Sequence, residues 1–203
     1  MIRLKYGNTN TFYVPGHNGG LLVDTDCAGT LHAFYRALKA NGLAAKDIRY
    51  VLATHYHPDH MGLISELMGQ SVKLLLIDVQ KDAVHFSDGL FERDGLPYSP
   101  IREDCATLIS CGESRDFLAG MGIAGEIIHT PSHSGDSISL LLDNGDCFVG
   151  DLEPFEYLKA YGENPPLKKD WERILSFRPG RICYGHAPEK LIVRQISAPS
   201  QES

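Results

Sequence analysis

Short apolar runs separated by turn residues dominate the hydrophobic pattern of this chain. Residues 11–14 (Thr-Phe-Tyr-Val) and 21–24 (Leu-Leu-Val-Asp) flank a Pro-Gly-His-Asn-Gly-Gly turn, which predicts a pair of strands. Leu31, Phe34, Tyr35 and Leu38 then recur at three-to-four spacing ahead of Asn41-Gly42, so a helix is expected over 30–40 with a glycine stop. Further strands are predicted at 49–54, 72–77, 126–130 and 181–184. Residues 137–142 and 147–149 read as a hairpin around Asp143-Asn144-Gly145. Helices are expected at 63–68, near 114–119 and at 168–176. Between 78 and 104 the periodicity breaks into short helices and Pro-containing loops. Strands come in runs interrupted by helices, which predicts an α+β fold with two sheets and helices outside. No repeat, low-complexity tract or Ser/Gly linker divides the chain, so residues 1–203 are expected to form one domain.

Composition narrows the function. Hydrophobic residues make up 43% of the chain and charged residues 22%, enough apolar material for a sizeable core and against disorder. Its 26 acidic residues against 19 Lys and Arg give a formal charge of −7 with no basic run, so no nucleic-acid partner is expected. No apolar stretch approaches the roughly 20 residues of a membrane-spanning helix, and no membrane partner is expected. The N-terminus lacks the apolar region of a signal peptide, and the five cysteines form no CxxC pair. A cytoplasmic location with reduced, mostly buried thiols is the expectation.

The nine histidines change the picture through their placement. Three histidines and an aspartate fall within six residues in His55-Tyr56-His57-Pro58-Asp59-His60, between a predicted strand and a predicted helix. In an extended loop, positions i and i+2 project to one side, so His55 and His57 can grip one ion together. Asp59 and His60 follow as the chain turns into the helix and point to a neighbouring position. Imidazole and carboxylate donors suit Zn²⁺ and also Fe or Mn.

This block resembles the His-x-His-x-Asp-His signature of the metallo-β-lactamase superfamily. Thr130-Pro131-Ser132-His133 resembles that family's Thr-Pro-Gly-His segment, with Ser132 where Gly is usual. Gly150-Asp151 resembles its strand-ending Gly-Asp, and Gly185-His186 its final Gly-His. The matches run in family order from about Thr11 to His186. The resemblance implies a four-layer αββα sandwich of two mixed β-sheets. It also implies two divalent metal ions, zinc first, with Fe or Mn as alternatives. His55, His57 and His133 would hold one ion, Asp59, His60 and His186 the other, and Asp151 would bridge them. Asp59 would also orient the attacking hydroxide. Asp24 matches a position that supports the ligands without touching the ions, although capping the next turn explains it equally well.

Two ions sharing a hydroxide make hydrolysis the natural chemistry. The expectation is therefore a dinuclear hydrolase of a small ester, thioester or lactone, nearest in its ligand set to short hydroxyacylglutathione hydrolase-like members. The chain stops soon after His186, leaving no room for the helical glutathione-binding domain of fuller forms. A β-lactamase is the first alternative, disfavoured by Asp151 and the lack of a signal. An iron-dependent redox member is the second, disfavoured by the full histidine set. A non-catalytic binding module is the remaining class, and an intact ligand set argues against it. Substrate contacts are expected from the irregular stretches, which contain Phe86, Phe91 and Tyr98, then Phe155, Tyr157 and Tyr161.

Overall fold

Apolar side chains occupy both faces of the central strands, so each sheet must be covered twice. The computed structural model describes residues 1–160 and 164–192, with the side chains of Lys159 and Ala160 outside that description. One sheet runs in sequence order through β1 (Ile2–Leu4), β2 (Thr11–Val14), β3 (Gly20–Val23), β4 (Ile48–Leu52), β5 (Lys73–Ile77) and β6 (Thr107–Ile109). Its first three strands are antiparallel, and β3 to β6 are parallel. The other sheet holds β7 (Gly125–His129), β8 (Ile138–Leu142), β9 (Asp146–Gly150), β10 (Arg181–Tyr184) and β11 (Lys190–Leu191), in the spatial order β11-β10-β9-β8-β7. There β9 and β10 are parallel and every other neighbouring pair is antiparallel.

The period-2 alternation decides what each side chain meets. Leu21 and Val23 of β3 face the second sheet, where Ile127, Leu140 and Phe148 meet them, while Leu22 faces outward. The Phe12 and Phe148 rings join the two sheets edge to face, with centroids 5.0 Å apart. Outside the first sheet lie α1 (Leu31–Ala40), α2 (Pro58–Met61), α3 (Ile64–Met68) and α4 (Asp88–Arg93), which bury Phe34, Leu38, Met61, Leu67 and Phe91. Helix α5 (Ser114–Gly120) adds Leu118 to the layer between the sheets. After the four-residue α6 (Tyr157–Ala160), α7 (Pro165–Ser176) covers the second sheet with Leu167, Trp171 and Ile174. The result is the four-layer αββα arrangement. All five cysteines are free, and Cys147 and Cys183 are buried among apolar neighbours. Among the described residues no helix is long and apolar enough to cross a membrane.

The expected elements recur within a few residues. Three short strands had no counterpart in the sequence reading: β1, β6 and β11, of three, three and two residues. Tyr161 lies outside the described residues. For the site, one feature of the topology matters. Strands β3, β7, β9 and β10 each lead into a loop carrying one of the singled-out side chains, and β4 leads into the segment carrying four. A hydrogen bond from the Ile138 amide to the Thr54 carbonyl, 2.9 Å, joins the two sheets there.

Candidate metal centre

Proline at the first position of α2 turns the chain from β4 into a helix without wasting a backbone donor. His55 and His57 precede that turn, and Asp59 and His60 fall inside it. His60 is fully buried, as is His55 at 1% exposure, while His57 and Asp59 are half-buried. His133 follows β7, Asp151 follows β9 and His186 follows β10. The seven residues converge. His55, His57 and His133 offer donor atoms within 4.8 Å of one another, as do Asp59, His60 and His186. His55, His60 and Asp151 form a third such group, which sits Asp151 between the other two sets. Its Oδ1 lies 3.3 Å from His60 Nε2, while its Oδ2 lies 3.4 Å from His186 Nε2 and 4.0 Å from His133 Nε2.

Several features favour a positive ion in this crowd. His57 Nδ1 and His133 Nε2 lie 3.2 Å apart, and His60 Nε2 and His186 Nε2 3.3 Å apart. His55 Nε2 is buried without a hydrogen-bond partner, a costly state for a polar atom. Burial, then the neighbouring His60, His133, His57 and His186, pushes the His55 imidazole far below its ordinary pKa, so it is a neutral donor. Burial lowers His133 as well. Burial also opposes charge on His60, but the Asp24 carboxylate, followed by Asp151, outweighs it and raises that pKa to about 10. Burial tends to raise the Asp151 pKa, and His60, His186 and His133 outweigh it to keep the carboxyl ionised. Glycine is required on the far side: a Cβ at Gly185 would fall 2.6 Å from Asp151 Oδ1 and 2.7 Å from the His60 ring. The donor set fits divalent ions.

Asp24 sits behind this cluster at the end of β3, in the left-handed region with φ of 58°. Its Oδ2 lies 3.0 Å from His60 Nδ1 and accepts from the Thr54 hydroxyl, and its Oδ1 accepts from the Thr54 amide. The Asp24 carboxylate thus backs the His60 ring and the Thr54 backbone, and the hydrogen bonds of its side chain go to those two residues rather than to the turn that follows it.

The sequence reading missed the loop between β1 and β2. The Asn8 carbonyl lies 3.2 Å from His186 Nδ1, and the Thr9 hydroxyl reaches Asp59 Oδ2 at 3.4 Å. Asn10 donates both side-chain N–H groups to the Tyr184 and Ala187 carbonyls, and its amide donates to the Gly185 carbonyl. Only the Asn-rich composition of 8–10 signalled this, and that composition is common in turns. Gln80 was also missed. Fully buried, it donates to the Ala53, Thr54 and Asp136 carbonyls, joining the His55 loop to the His133 loop. His17, His85 and His129 lie outside the cluster. His17 packs beside Gly122, His85 pairs with Asp88, and His129 Nε2 braces the His133 loop at the Gly135 carbonyl, 2.8 Å away.

The family model of the metallo-beta-lactamase superfamily matches residues 4–186, covering every residue of the centre. The chain belongs to that superfamily. Among curated members, the Beta-lactamase-like protein 2 homolog of Drosophila melanogaster is 25% identical over 88% of this chain and 58% of its own length. Metallo-beta-lactamase domain-containing protein 1 of Xenopus laevis is 25% identical over 90% of this chain and 72% of its own. A probable metallo-hydrolase of Methanocaldococcus jannaschii is 28% identical over 68% of this chain and 65% of its own. The chain thus spans about three-fifths of the Drosophila relative. Among solved structures, a metallo-beta-lactamase family protein of Thermus thermophilus superposes with a TM-score of 0.66 at 23% identity, over 89% of this chain and 69% of its own. A protein solved in a di-iron-bound form gives 0.70 at 21%, over 94% of both chains. These likenesses share the superfamily fold.

Proposed function

We propose that this chain is a dinuclear metal-dependent hydrolase of small esters, thioesters or lactones. The observation that carries the reading is the convergence of two three-residue donor sets on either side of Asp151. In it, His55, His57 and His133 would hold one divalent ion and Asp59, His60 and His186 the second, with Asp151 serving both. Such a pair of ions supplies a Lewis acid for a carbonyl and activated water at neutral pH. The residues do the rest. Asp24 keeps His60 oriented with its Nε2 toward the centre. Asp59, partly exposed at the mouth, orients the attacking water as it adds to the carbonyl. The acyl bond to oxygen or sulfur then breaks, and the leaving group carries away a proton originating from that water.

Zinc is the first expectation for the native ion on the donor set. The di-iron-bound neighbour is the reason to load Fe and Mn in parallel. The reading takes 1–203 as one domain acting in the cytoplasm on a small molecule, without nucleic acid or membrane. A short thioesterase-like member fits it better than a β-lactamase.

Protein purified without chelators and loaded separately with Zn, Mn or Fe tests this on a panel. The panel comprises S-lactoylglutathione, acyl-thioesters, p-nitrophenyl esters, homoserine lactones, a chromogenic cephalosporin and a phosphodiester. Turnover near or above roughly 1 s⁻¹ on an ester, thioester or lactone is expected. Such turnover on the cephalosporin or phosphodiester alone overturns the reading.

A further inference from the structure

A cavity of about 360 Å³ opens beside His57, and its walls carry information about the substrate. Tyr56 and His57 form its inner side, and Val79, Ala83 and Phe86 its outer wall. Phe86 is 64% exposed and Val79 38%. The Phe86 ring leans over the His57 ring, with centroids 5.9 Å apart. Single exposed apolar residues are commonplace, so exposure alone decides nothing.

The mounting of Phe86 decides more. The next residue, Ser87, is fully buried and donates to the Tyr56 carbonyl, 2.7 Å away, between the two metal-ligating histidines. The Phe86 amide donates to the Ala83 carbonyl at 2.9 Å, which closes the turn. Below it, Tyr98 stacks on Phe91 with centroids 4.2 Å apart and donates to Asp88. The segment is tied to the site at one end and to the core at the other. It nevertheless turns its aromatic ring to solvent beside the ligand loop.

The charges are equally one-sided. None of the described residues lining the cavity is Lys or Arg. Asp82 stands exposed on the rim. The carboxylate of Asp136 is engaged by the Tyr56 amide and the Ser134 hydroxyl. An anionic group seated against this wall would meet carboxylates and no Lys or Arg side chain among the described lining residues.

We infer that this cavity takes an uncharged apolar group of the substrate, such as a medium-length acyl chain, with Phe86 as its specificity wall and carboxylate-bearing groups excluded. The inference rests on the hydrolase reading for its chemistry, since it assigns the acyl side of the same site. Burial of each added methylene should tighten binding until the wall is covered.

The test separates binding from hydrolysis. Ligand-observed NMR on the metal-loaded protein compares acetamide, hexanamide and the anionic succinamate, and kcat/KM is measured for p-nitrophenyl acetate and hexanoate. Hexanamide should bind at least about tenfold tighter than acetamide, and the ester ratio should favour hexanoate similarly. Succinamate should bind no tighter than acetamide. In Phe86→Ala, whose parent side chain is too exposed to hold the core, the hexanamide preference should fall at least about threefold. Equal binding of the two amides, tighter succinamate binding, or a preference untouched by Phe86→Ala and Val79→Ala together would overturn the inference. Hydrolysis without chain-length preference sinks the cavity and spares the hydrolase. Phe86-dependent hexanamide binding without turnover of any panel substrate does the reverse.

Discussion

The two ligand sets of the centre are braced by different means. Around His55, His57 and His133, support reaches mainly the peptide backbone: Gln80 holds the Ala53, Thr54 and Asp136 carbonyls, and Asp136 and Ser87 hold both sides of the Tyr56 peptide. The Thr54 hydroxyl lies 3.3 Å from His55 Nδ1. Around Asp59, His60 and His186, support reaches the ligands themselves, through Asp24, Thr9 and the Asn8 carbonyl. Each set takes two donors from residues 55–60 and a third from a distant loop, so the contrast lies in position. His55 and His57 precede α2, in a loop held through its peptides, whereas Asp59 and His60 lie inside α2 and are reached through their side chains. Loss of a brace should therefore disturb one set before the other.

Breaking that asymmetry begins with Asp24. Asp24→Ala leaves the buried His60 ring and Thr54 amide unpaired. Affinity at the second set should fall by about 10–100-fold, with a stability loss of about 3–5 kcal/mol. Chelator competition and urea melts measure both, and loss of the first ion ahead of the second would contradict the assignment. Gln80→Ala should act in the opposite order. It removes the side-chain donor from the Ala53 and Asp136 carbonyls, at about 1–3 kcal/mol, and should release the ion of the three-histidine set first. Asn10→Ala removes both donors from the carbonyls flanking His186. It should cost about 1–2 kcal/mol and weaken the second set alone. Arg115→Ala sharpens the comparison as a control. Its exposed pairs with Glu126 and Asp143 lie away from the centre, so stability should change by less than about 1 kcal/mol and metal content should hold at two per chain.

Legibility in the sequence divides along the same line. The 55–60 block stood out because three histidines and an aspartate fall within six residues, while His133, Asp151 and His186 were legible only through the resemblance to the superfamily's motifs. The strands were legible as short apolar runs between turn residues, but a run such as Leu21-Leu22-Val23 hides its faces, which the structure divides between two apolar clusters. The braces were silent. Gln80 and Asn10 act through backbone carbonyls distant in sequence, and nothing in a local pattern marks an amide as a clasp until the fold brings its acceptors near. Strands β1, β6 and β11 were missed for a related reason. Two or three residues are too few to show a period, and their pairing is decided by the neighbouring strand.

The central claim is that two ions sit on either side of Asp151. Anomalous scattering from crystals grown with the loaded metal, with Asp151→Ala alongside the unaltered chain, tests it most directly. Two peaks are expected in the unaltered protein, one among His55, His57 and His133 and one among Asp59, His60 and His186. The second should fade in Asp151→Ala while the first persists, since removing a shared anion leaves the two cations to repel each other. A single peak in the unaltered protein, or two undiminished peaks in Asp151→Ala, would contradict the account.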